Sequence, residues 1–380
     1  MTALGSLAIH MFVPAMPAAV VSLATTPAAV QLALTLYMAG LAAGQLATGP
    51  MADRIGRRPV MIGGVVLFVA GSALCWTASS IAALLGGRLL QALGASSSLV
   101  SGRAMIGDST DASGTRDMAL VSAIILLSPM FAPILGAFVA AAAGWRAIFA
   151  VLALAGAVVG VAILLWLPET MARRTGPRAH FAADWAAVAR DRSFLASLAL
   201  AVLLGGGLYV FLSASPFLFL ETYHVARTDL GWCYGLVASG AAGGALTASW
   251  LATRLDTRRT IQAATLLCAV AAFALLLGAL QGIHHVAALV VPMMAYAFGG
   301  GVVMPNAMMA ALAGLRDRLG TAVSLYGAMQ MGGSALATVA VALFPSHDPR
   351  LPVLLITALA LIAAVFSRLD FGAIVVEHSD

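Results

Sequence analysis

Two side chains that can carry charge lie several residues from either end of long apolar stretches of this sequence. Arg88 lies within residues 81–106, nearer the start than the end, and His10 lies within residues 2–22. A charge inside an apolar segment is costly, so we interpret Arg88 as functional rather than structural. Histidine changes its charge near neutral pH, which makes His10 a candidate proton carrier. The alternative for His10 is a structural hydrogen bond to a neighbouring helix.

A charged segment with two glycines covers residues 49–59 and reads Gly-Pro-Met-Ala-Asp-Arg-Ile-Gly-Arg-Arg-Pro. Gly49 and Gly56 permit a tight turn, because glycine adopts backbone angles that are closed to other residues. Asp53 is placed to cap a neighbouring helix N-terminus, where the helix dipole favours an anion. Arg57 is able to bridge Asp53 to a second carboxylate. The segment therefore predicts a charged cluster that holds helix ends together.

Two prolines four residues apart interrupt a later apolar stretch, residues 119–141. Pro129 and Pro133 remove two backbone donors on one face, and Gly136 follows them. Proline inside a helix bends its axis, so the pattern predicts a kinked helix.

Polar and aromatic residues near the middle of the apolar stretches are the candidates for a ligand pocket. They are His10, Tyr37, Arg88, Tyr209, Phe217, Tyr326 and Gln330. Largely apolar sites with few polar groups suit lipophilic ligands. No acidic residue lies clearly in the middle of a stretch, which favours neutral or anionic ligands over organic cations. The alternative for each aromatic residue is packing, or a belt at the membrane interface.

The elements that position these residues are predicted to be membrane-spanning helices. Of the 380 residues, 62% are hydrophobic and 9% charged, whereas about a quarter of a soluble domain is charged. Twelve stretches approach or exceed the roughly 20 residues that a spanning helix needs, and backbone groups in lipid must pair within each segment. They cover residues 2–22, 30–50, 60–78, 81–106, 119–141, 146–167, 194–220, 230–252, 260–280, 286–312, 321–343 and 351–369.

The arginines predict how these helices are oriented. All 20 basic residues are arginine, and the loops are arginine-rich in alternation. The arginines of the rich loops are Arg54, Arg57, Arg58, Arg116, Arg173, Arg174, Arg178, Arg190, Arg192, Arg254, Arg258, Arg259, Arg316 and Arg318. The opposite loops hold Arg146, Arg227 and Arg350. The positive-inside rule puts the arginine-rich loops and both termini in the cytoplasm. The first stretch lacks a basic start and contains prolines, so we do not expect a cleaved signal peptide.

A polar linker divides the chain into two predicted halves. We expect a six-helix bundle over residues 1–167, a cytoplasmic linker over 168–193 and a second six-helix bundle over 194–380. Residues 184–192 suggest one short surface helix in the linker. A weak repeat relates Met-Ala-Asp-Arg-Ile at 51–55 to Leu-Ala-Thr-Arg-Leu at 251–255, each followed by an Arg pair. Parallel repeats with a site between them are typical of transporters.

These motifs resemble those of the major facilitator superfamily, and in particular its Bcr/CflA branch of twelve-helix drug:proton antiporters. The segment 49–59 is similar to the superfamily's loop between helices 2 and 3, and Arg88-Leu-Leu-Gln-Ala-Leu-Gly resembles its motif on the fourth helix. Residues 128–136 resemble the antiporter motif of drug exporters. Further matches lie at residues 36–37, 44–45, 144–149, 167–170, 213–217 and 304–307. The likeness covers nearly the whole chain.

The resemblance implies roles for the residues that match these motifs. In the superfamily the 49–59 loop latches the cytoplasmic side in the outward-facing state, and Asp108 matches the third member of that cluster. The arginine at the position of Arg88 is tied to proton coupling. Symporters of the superfamily usually lack the proline motif, so Pro129, Pro133 and Gly136 imply export.

The first helix departs from the Bcr/CflA pattern, which usually reads Asp-x-Tyr-x-Pro-x-x-Pro. Here His10 replaces the acid and Phe12 replaces the tyrosine. Histidine can hold a proton but cannot attract a cation, so either His10 or Asp108 is left as the coupling group. Neutral or anionic drugs such as phenicols are favoured as substrates.

We therefore predict a monomeric inner-membrane antiporter whose partners are a small drug, protons and the bilayer. The alternatives are a facilitator or symporter of a metabolite, and a non-transporting membrane sensor. The sequence carries no phosphate-cradling loop or paired-carboxylate site, which argues against an enzyme or an ATP-driven pump. Neither a cofactor nor nucleic acid is expected, and Cys75, Cys233 and Cys268 lack metal-ligand spacing.

Overall fold

The computed structural model describes residues 2–107, 112–167, 181–252, 254–315, 318–343 and 349–369, and within these ranges the regular elements are helices. The α-helices, numbered in chain order, are α1 Thr2–His10, α2 Met16–Ser22, α3 Pro27–Ile55, α4 Arg57–Trp76, α5 Ile81–Gly107, α6 Ala112–Ala143, α7 Trp145–Trp166, α8 Phe181–Val188, α9 Arg192–Glu221, α10 Leu230–Leu251, α11 Thr257–Leu280, α12 Ala287–Leu312, α13 Leu319–Ala342 and α14 Arg350–Leu369. A 3-10 turn over Val13–Ala15 separates α1 from α2.

Each of the twelve predicted apolar stretches lies on helix, which confirms the all-helical prediction. The first stretch is divided into α1, the 3-10 turn and α2, because Pro14 and Pro17 lack the N–H that would continue the helical ladder. By length and apolar content alone, eight of the described segments are able to cross a membrane. Helices α5, α10 and α13 have 27, 22 and 24 residues, and their glycines and polar side chains lower their hydropathy.

The short helix of the linker lies earlier than the sequence suggested. It was expected over residues 184–192, whereas α8 ends at Val188. The reason is that Asp191 caps the next helix, where its carboxylate accepts from the Phe194 N–H at 2.7 Å. Asp184 on α8 pairs with Arg318 before α13 at 3.0 Å, which fastens this part of the linker to the second half.

The helices pack in two sets that repeat one pattern. In the first half α3 packs on α5, α4 on α5 and α7, and α1 on α6. The corresponding pairs of the second half are α10 with α12, α11 with α12 and α14, and α9 with α13. The halves meet along α3 with α13 and along α6 with α10, which correspond under the same repeat. Such a pattern is that of two pseudo-symmetric six-helix bundles.

One end of the bundle carries the arginine-rich connections, and we refer to it as the Arg-rich end. It includes Arg54 in the last turn of α3, Arg254 after α10 and Arg318 before α13. At the opposite end Arg146 donates through Nε and Nη2 to the Ala78 carbonyl at 2.9 and 2.7 Å. Arg146 thereby ties the start of α7 to the α4–α5 connection.

Candidate functional site

A cavity of about 360 Å³ lies between the two halves. Helices α1, α3, α5 and α6 form one side of it, and α9, α10, α12 and α13 form the other. Its polar lining residues within the described ranges are Ser6, His10, Tyr209 and Tyr234, and the rest are aliphatic, glycine, proline or methionine. None of the described lining residues is a carboxylate or an arginine. A cavity of this composition suits an apolar ligand with few polar groups.

His10 reaches the cavity because the first membrane segment breaks beside it. Helix α1 ends at His10, and Pro14 in the following turn has no N–H with which to extend it. The Nδ1 atom of His10 donates to the Ser6 carbonyl oxygen at 2.8 Å. The side chain is thus fixed at one ring nitrogen while the residue lines the cavity and is 9% exposed.

Arg88 lies behind this wall and is fully buried. Its Nη1 donates to the Ala8 carbonyl at 2.9 Å, and its Nε donates to the Ala33 carbonyl at 3.4 Å. The guanidinium carbon lies 4.1 Å from the ring centre of Tyr37 and 5.5 and 5.8 Å from those of Phe12 and Phe149. Within the described ranges no carboxylate pairs with Arg88. The groups there that attract the cation are therefore these aromatic faces and carbonyls.

Two polar side chains in the hydrogen-bond chain that starts at Arg88 were not selected as site residues by sequence reasoning. Gln91 accepts from Arg88 Nη1 at 2.7 Å and donates to the Ser72 hydroxyl at 2.8 Å. Ser72 lies on α4, where Gly71 lets that backbone approach α5 so closely that an added methyl group would overlap Gln91. The spacing of three residues already placed Gln91 within reach of Arg88 on one helix, whereas nothing in the sequence linked Ser72, on another helix, to this pair.

The proline motif lies where α6 borders both the cavity and the other half. Pro129 and Pro133 line the cavity. Gly136 faces the broken first segment, and a methyl group there would overlap the Met11 carbonyl. Across the interface, a Cβ at Gly231 on α10 would lie 2.9 Å from the Ile134 Cα atom. The motif therefore combines two prolines inside the helix with close contacts to the first segment and to α10.

The charged segment 49–59 connects α3 to α4, with one difference from the expectation. The predicted turn at Gly49 is wrong, because α3 continues through Gly49 to Ile55 and the chain turns at Gly56, whose φ is 104°. Gly49 instead faces α13, where a Cβ would lie 3.9 Å from Ser324 Oγ. Arg57 begins α4. The Asp53 side chain and Asp108 lie outside the described residues.

Of the seven predicted pocket residues, His10 and Tyr209 line the cavity. Tyr37 donates to the Gly5 carbonyl at 3.0 Å and belongs with Arg88 behind the wall. The structure places the remaining three elsewhere. Phe217 is buried in the core, Tyr326 packs edge-on against Phe194 near the Arg-rich end, and Gln330 Nε2 lies 3.3 Å from Met304 Sδ.

Tyr234 lines the cavity although sequence reasoning did not select it. Its hydroxyl lies 2.9 Å from that of Ser215, and its ring packs against Phe211 and Phe219. Helix α10 is apolar on every side, so the sequence does not show which of its residues face the cavity.

The sequence profile of the Major Facilitator Superfamily matches residues 1–338 and 221–371. The chain belongs to the Major Facilitator Superfamily. As a member of this superfamily it is a multi-pass membrane transporter and not an enzyme. The predicted fold class, two pseudo-symmetric six-helix bundles, is confirmed together with the family.

Two superfamily relatives of the chain are named for drug resistance. A chloramphenicol resistance protein of Pseudomonas aeruginosa is 39% identical over 173 residues, 45% of this chain and 41% of that protein. Multidrug resistance protein MdtL of Salmonella paratyphi A is 31% identical over 232 residues, 60% of this chain and 59% of that protein. The chain therefore spans about half the length of these curated relatives.

Solved structures share the superfamily fold over almost the whole chain. A bacterial homologue of the human lysosomal transporter Spinster has a TM-score of 0.77 at 16% identity, with 98% of this chain and 94% of that chain covered. A D-xylose–proton symporter has a TM-score of 0.75 at 16% identity, with 97% and 96% covered. At this identity the likeness shows the fold alone.

Proposed function

We propose that this transporter exports small apolar drugs, neutral or anionic, in exchange for protons. The observation that carries the proposal is the cavity between the halves, whose described lining is apolar and holds no carboxylate. An organic cation in such a site would lose its hydration without gaining a counter-charge, which is costly. The described lining holds no arginine either, so the neutral members of this class fit the cavity best. The names of the chloramphenicol and multidrug resistance relatives support drugs as the substrate class.

Export would proceed by alternating access between two halves, residues 1–167 and 194–380, joined by the linker 168–193. The contacts that must open and close are those of α3 with α13 and of α6 with α10. The prolines of α6 lie beside the cavity, and Ile134, next to Pro133, meets Gly231 of α10 at the second of these contacts. Repeats that rock around a fixed central site are the usual arrangement in such transporters.

We assign the Arg-rich end to the cytoplasm of a bacterial cell, with the chain a monomer in the inner membrane and both termini inside. The positive-inside rule supports this orientation. The latch of the Arg-rich end is assigned to Gly49, Asp53, Gly56, Arg57 and Asp108.

Proton coupling is assigned to Arg88 together with His10, and Asp108 is the second candidate for the carrier. Ala8, whose carbonyl accepts from Arg88, lies two residues before His10 in the same helix. A charge gained by His10 would therefore act on the buried guanidinium across a short distance in a medium of low dielectric constant. The Tyr37 ring lies against the same guanidinium, 4.1 Å from its carbon atom.

A susceptibility panel in an efflux-deficient bacterial host tests the substrate class. Expression of the chain should raise the inhibitory concentration of neutral chloramphenicol and leave that of cationic ethidium unchanged. A variant at a lipid-facing position, Leu154→Ala, is the matched control, because that side chain is 67% exposed on the outer surface. Protection against ethidium without protection against chloramphenicol would contradict the assignment.

A further inference from the structure

Two hydrogen-bonding groups on the cavity wall have no partner in the described part of the protein. One is Nε2 of His10, because the hydrogen bonds of this side chain to described residues all involve Nδ1. The second is the hydroxyl of Tyr209, which lines the same cavity from α9. Both residues line the cavity, His10 from the first half and Tyr209 from the second.

The position of the hydrogen on the His10 ring follows from its surroundings. Nδ1 lies 2.8 Å from the Ser6 carbonyl oxygen, and a carbonyl oxygen can only accept. Nδ1 must therefore be the nitrogen that carries the hydrogen. In the neutral imidazole the remaining nitrogen, Nε2, then presents a lone pair and acts as an acceptor.

A buried acceptor in an apolar cavity distinguishes strongly between ligands. A ligand with a hydroxyl or N–H group satisfies it, whereas a ligand of the same shape without a donor leaves it desolvated and unpaired. Sites built to hydrogen-bond a hydroxyl group reject analogues that lack it far more sharply than apolar pockets reject a change in size.

We propose that the cavity selects apolar, uncharged molecules that carry a hydroxyl or amide N–H donor, and that His10 Nε2 accepts the hydrogen bond. Tyr209 offers a second contact from the other half, so that one ligand would join α1 to α9. This inference rests on the proposed function in taking the cavity as the substrate site. It assigns to His10 a specificity role that does not require it to carry the transported proton.

Calorimetric titration of the purified full chain in detergent micelles tests this recognition with matched pairs of probes. The first pair is chloramphenicol and its derivative with both hydroxyls and the amide nitrogen methylated. The second pair is 2-naphthol and 2-methoxynaphthalene, which differ in a single donor. We expect the donor-bearing member of each pair to bind about five- to tenfold more tightly.

The variant His10→Phe keeps a ring of similar shape and removes the acceptor. Its affinity ratio within each pair should lose most of the wild-type preference, and comparing the ratios of variant and wild type cancels the effect of the added methyl groups. Tyr209→Phe should reduce the ratio partly. Leu154→Ala, on the outer surface, should leave it unchanged.

A nitrogen-15 spectrum of histidine-labelled wild-type protein tests the ring assignment without relying on a folded His10→Phe variant. The His10 signals, identified by their loss in His10→Gln, should report a protonated Nδ1 and an unprotonated Nε2. Adding chloramphenicol should shift the Nε2 signal.

Several outcomes would overturn the inference, and they differ from failure of the proposed function. Equal affinity within both pairs, an unchanged ratio in His10→Phe, or a neutral imidazole protonated at Nε2 would each sink it. Absence of binding by every probe would also count against it. If the donor-bearing probes bind preferentially through His10 but are not exported, the recognition stands and drug export is wrong.

Discussion

At the scale of single residues, Arg88 on α5 links three other helices of the first half. Its hydrogen bonds reach the carbonyls of Ala8 on α1 and Ala33 on α3, and its aromatic neighbours include Phe149 on α7. The guanidinium thus relates the position of the broken first segment to the body of the half. A residue in this place can transmit a change at His10 without touching the cavity.

Replacement of Arg88 by alanine should abolish chloramphenicol efflux while the protein still accumulates in the membrane. Interhelical hydrogen bonds in membrane proteins contribute about 0.6 kcal/mol each on average, so the variant should lose stability without unfolding. Efflux, membrane abundance and melting temperature are measured together. Arg88→Lys is the matched control, which keeps the charge but not the planar fork and should retain part of the activity. Normal resistance in Arg88→Ala would remove this residue from the mechanism.

His10→Asp should broaden the substrates towards organic cations. A carboxylate on the cavity wall would supply the counter-charge that the described lining lacks. The isosteric neutral variant His10→Asn is the control and should gain no cations. Ethidium efflux measured by fluorescence compares the two variants. An unchanged drug profile in His10→Asp would favour a purely structural histidine.

Residue-level prediction from the sequence depended on chemical contrast. Arg88 and His10 stood out because each is polar within an apolar stretch. Tyr37 was assigned to the pocket, and only the folded chain shows that its ring instead covers the Arg88 guanidinium. Tyr234 and Ser72 differ too little from their surroundings to be noticed without the structure.

At the scale of helices, interruptions decide where the site forms. The break between α1 and α2 brings His10 to the cavity. At the same break, α6 approaches the first segment closely, with Gly136 against the Met11 carbonyl. Both features derive from residues with special backbone chemistry, namely proline and glycine.

Gly136→Ala should impair transport because the added methyl group would overlap the Met11 carbonyl and push α6 away from the first segment. Overpacking of this kind costs typically about 1–3 kcal/mol, and a lower melting temperature should accompany lower efflux. Gly86→Ala is a matched control, because a Cβ at Gly86 would meet nothing within 4 Å. Equal stability and efflux in the two variants would show that the close contact at Gly136 has no role.

The existence of the helices was predictable, but their faces were not. Eleven of the predicted apolar stretches each lie on a single helix, whose ends differ from the predicted ends by a few residues. Helices that are hydrophobic on every side give no periodic signal to separate the lipid-facing side from the cavity-facing side. Phe217 and Tyr326 were assigned to the pocket for that reason and lie elsewhere.

At the scale of the whole molecule, polar contacts join the halves along α3 and α13. The hydroxyl groups of Thr35 and Thr338 lie 2.9 Å apart, and Gln31 donates to the Ser213 carbonyl on α9 at 3.1 Å. Leu46 packs against the cluster of Phe194 and Tyr326 nearer the Arg-rich end. Alternating access requires such contacts to form and break in each cycle.

A disulfide between Thr35→Cys and Thr338→Cys should stop transport by fixing the halves together. The two side chains are close enough for the sulfur atoms to approach bonding distance. The variant is made in a background in which Cys75, Cys233 and Cys268 are replaced, and a reductant should restore efflux. Each single-cysteine variant is the control and should stay active under oxidation. Full transport by the cross-linked protein would contradict movement at this contact.

The central claim is that export of an uncharged drug is driven by protons moving the opposite way. Chloramphenicol uptake into inside-out membrane vesicles, with the vesicle interior acidified relative to the medium, measures this directly. We predict that uptake follows the imposed pH gradient, is abolished by a protonophore and is absent in vesicles that carry Arg88→Ala. Uptake that is unchanged when the protonophore collapses the gradient would contradict antiport and leave a facilitator as the better description.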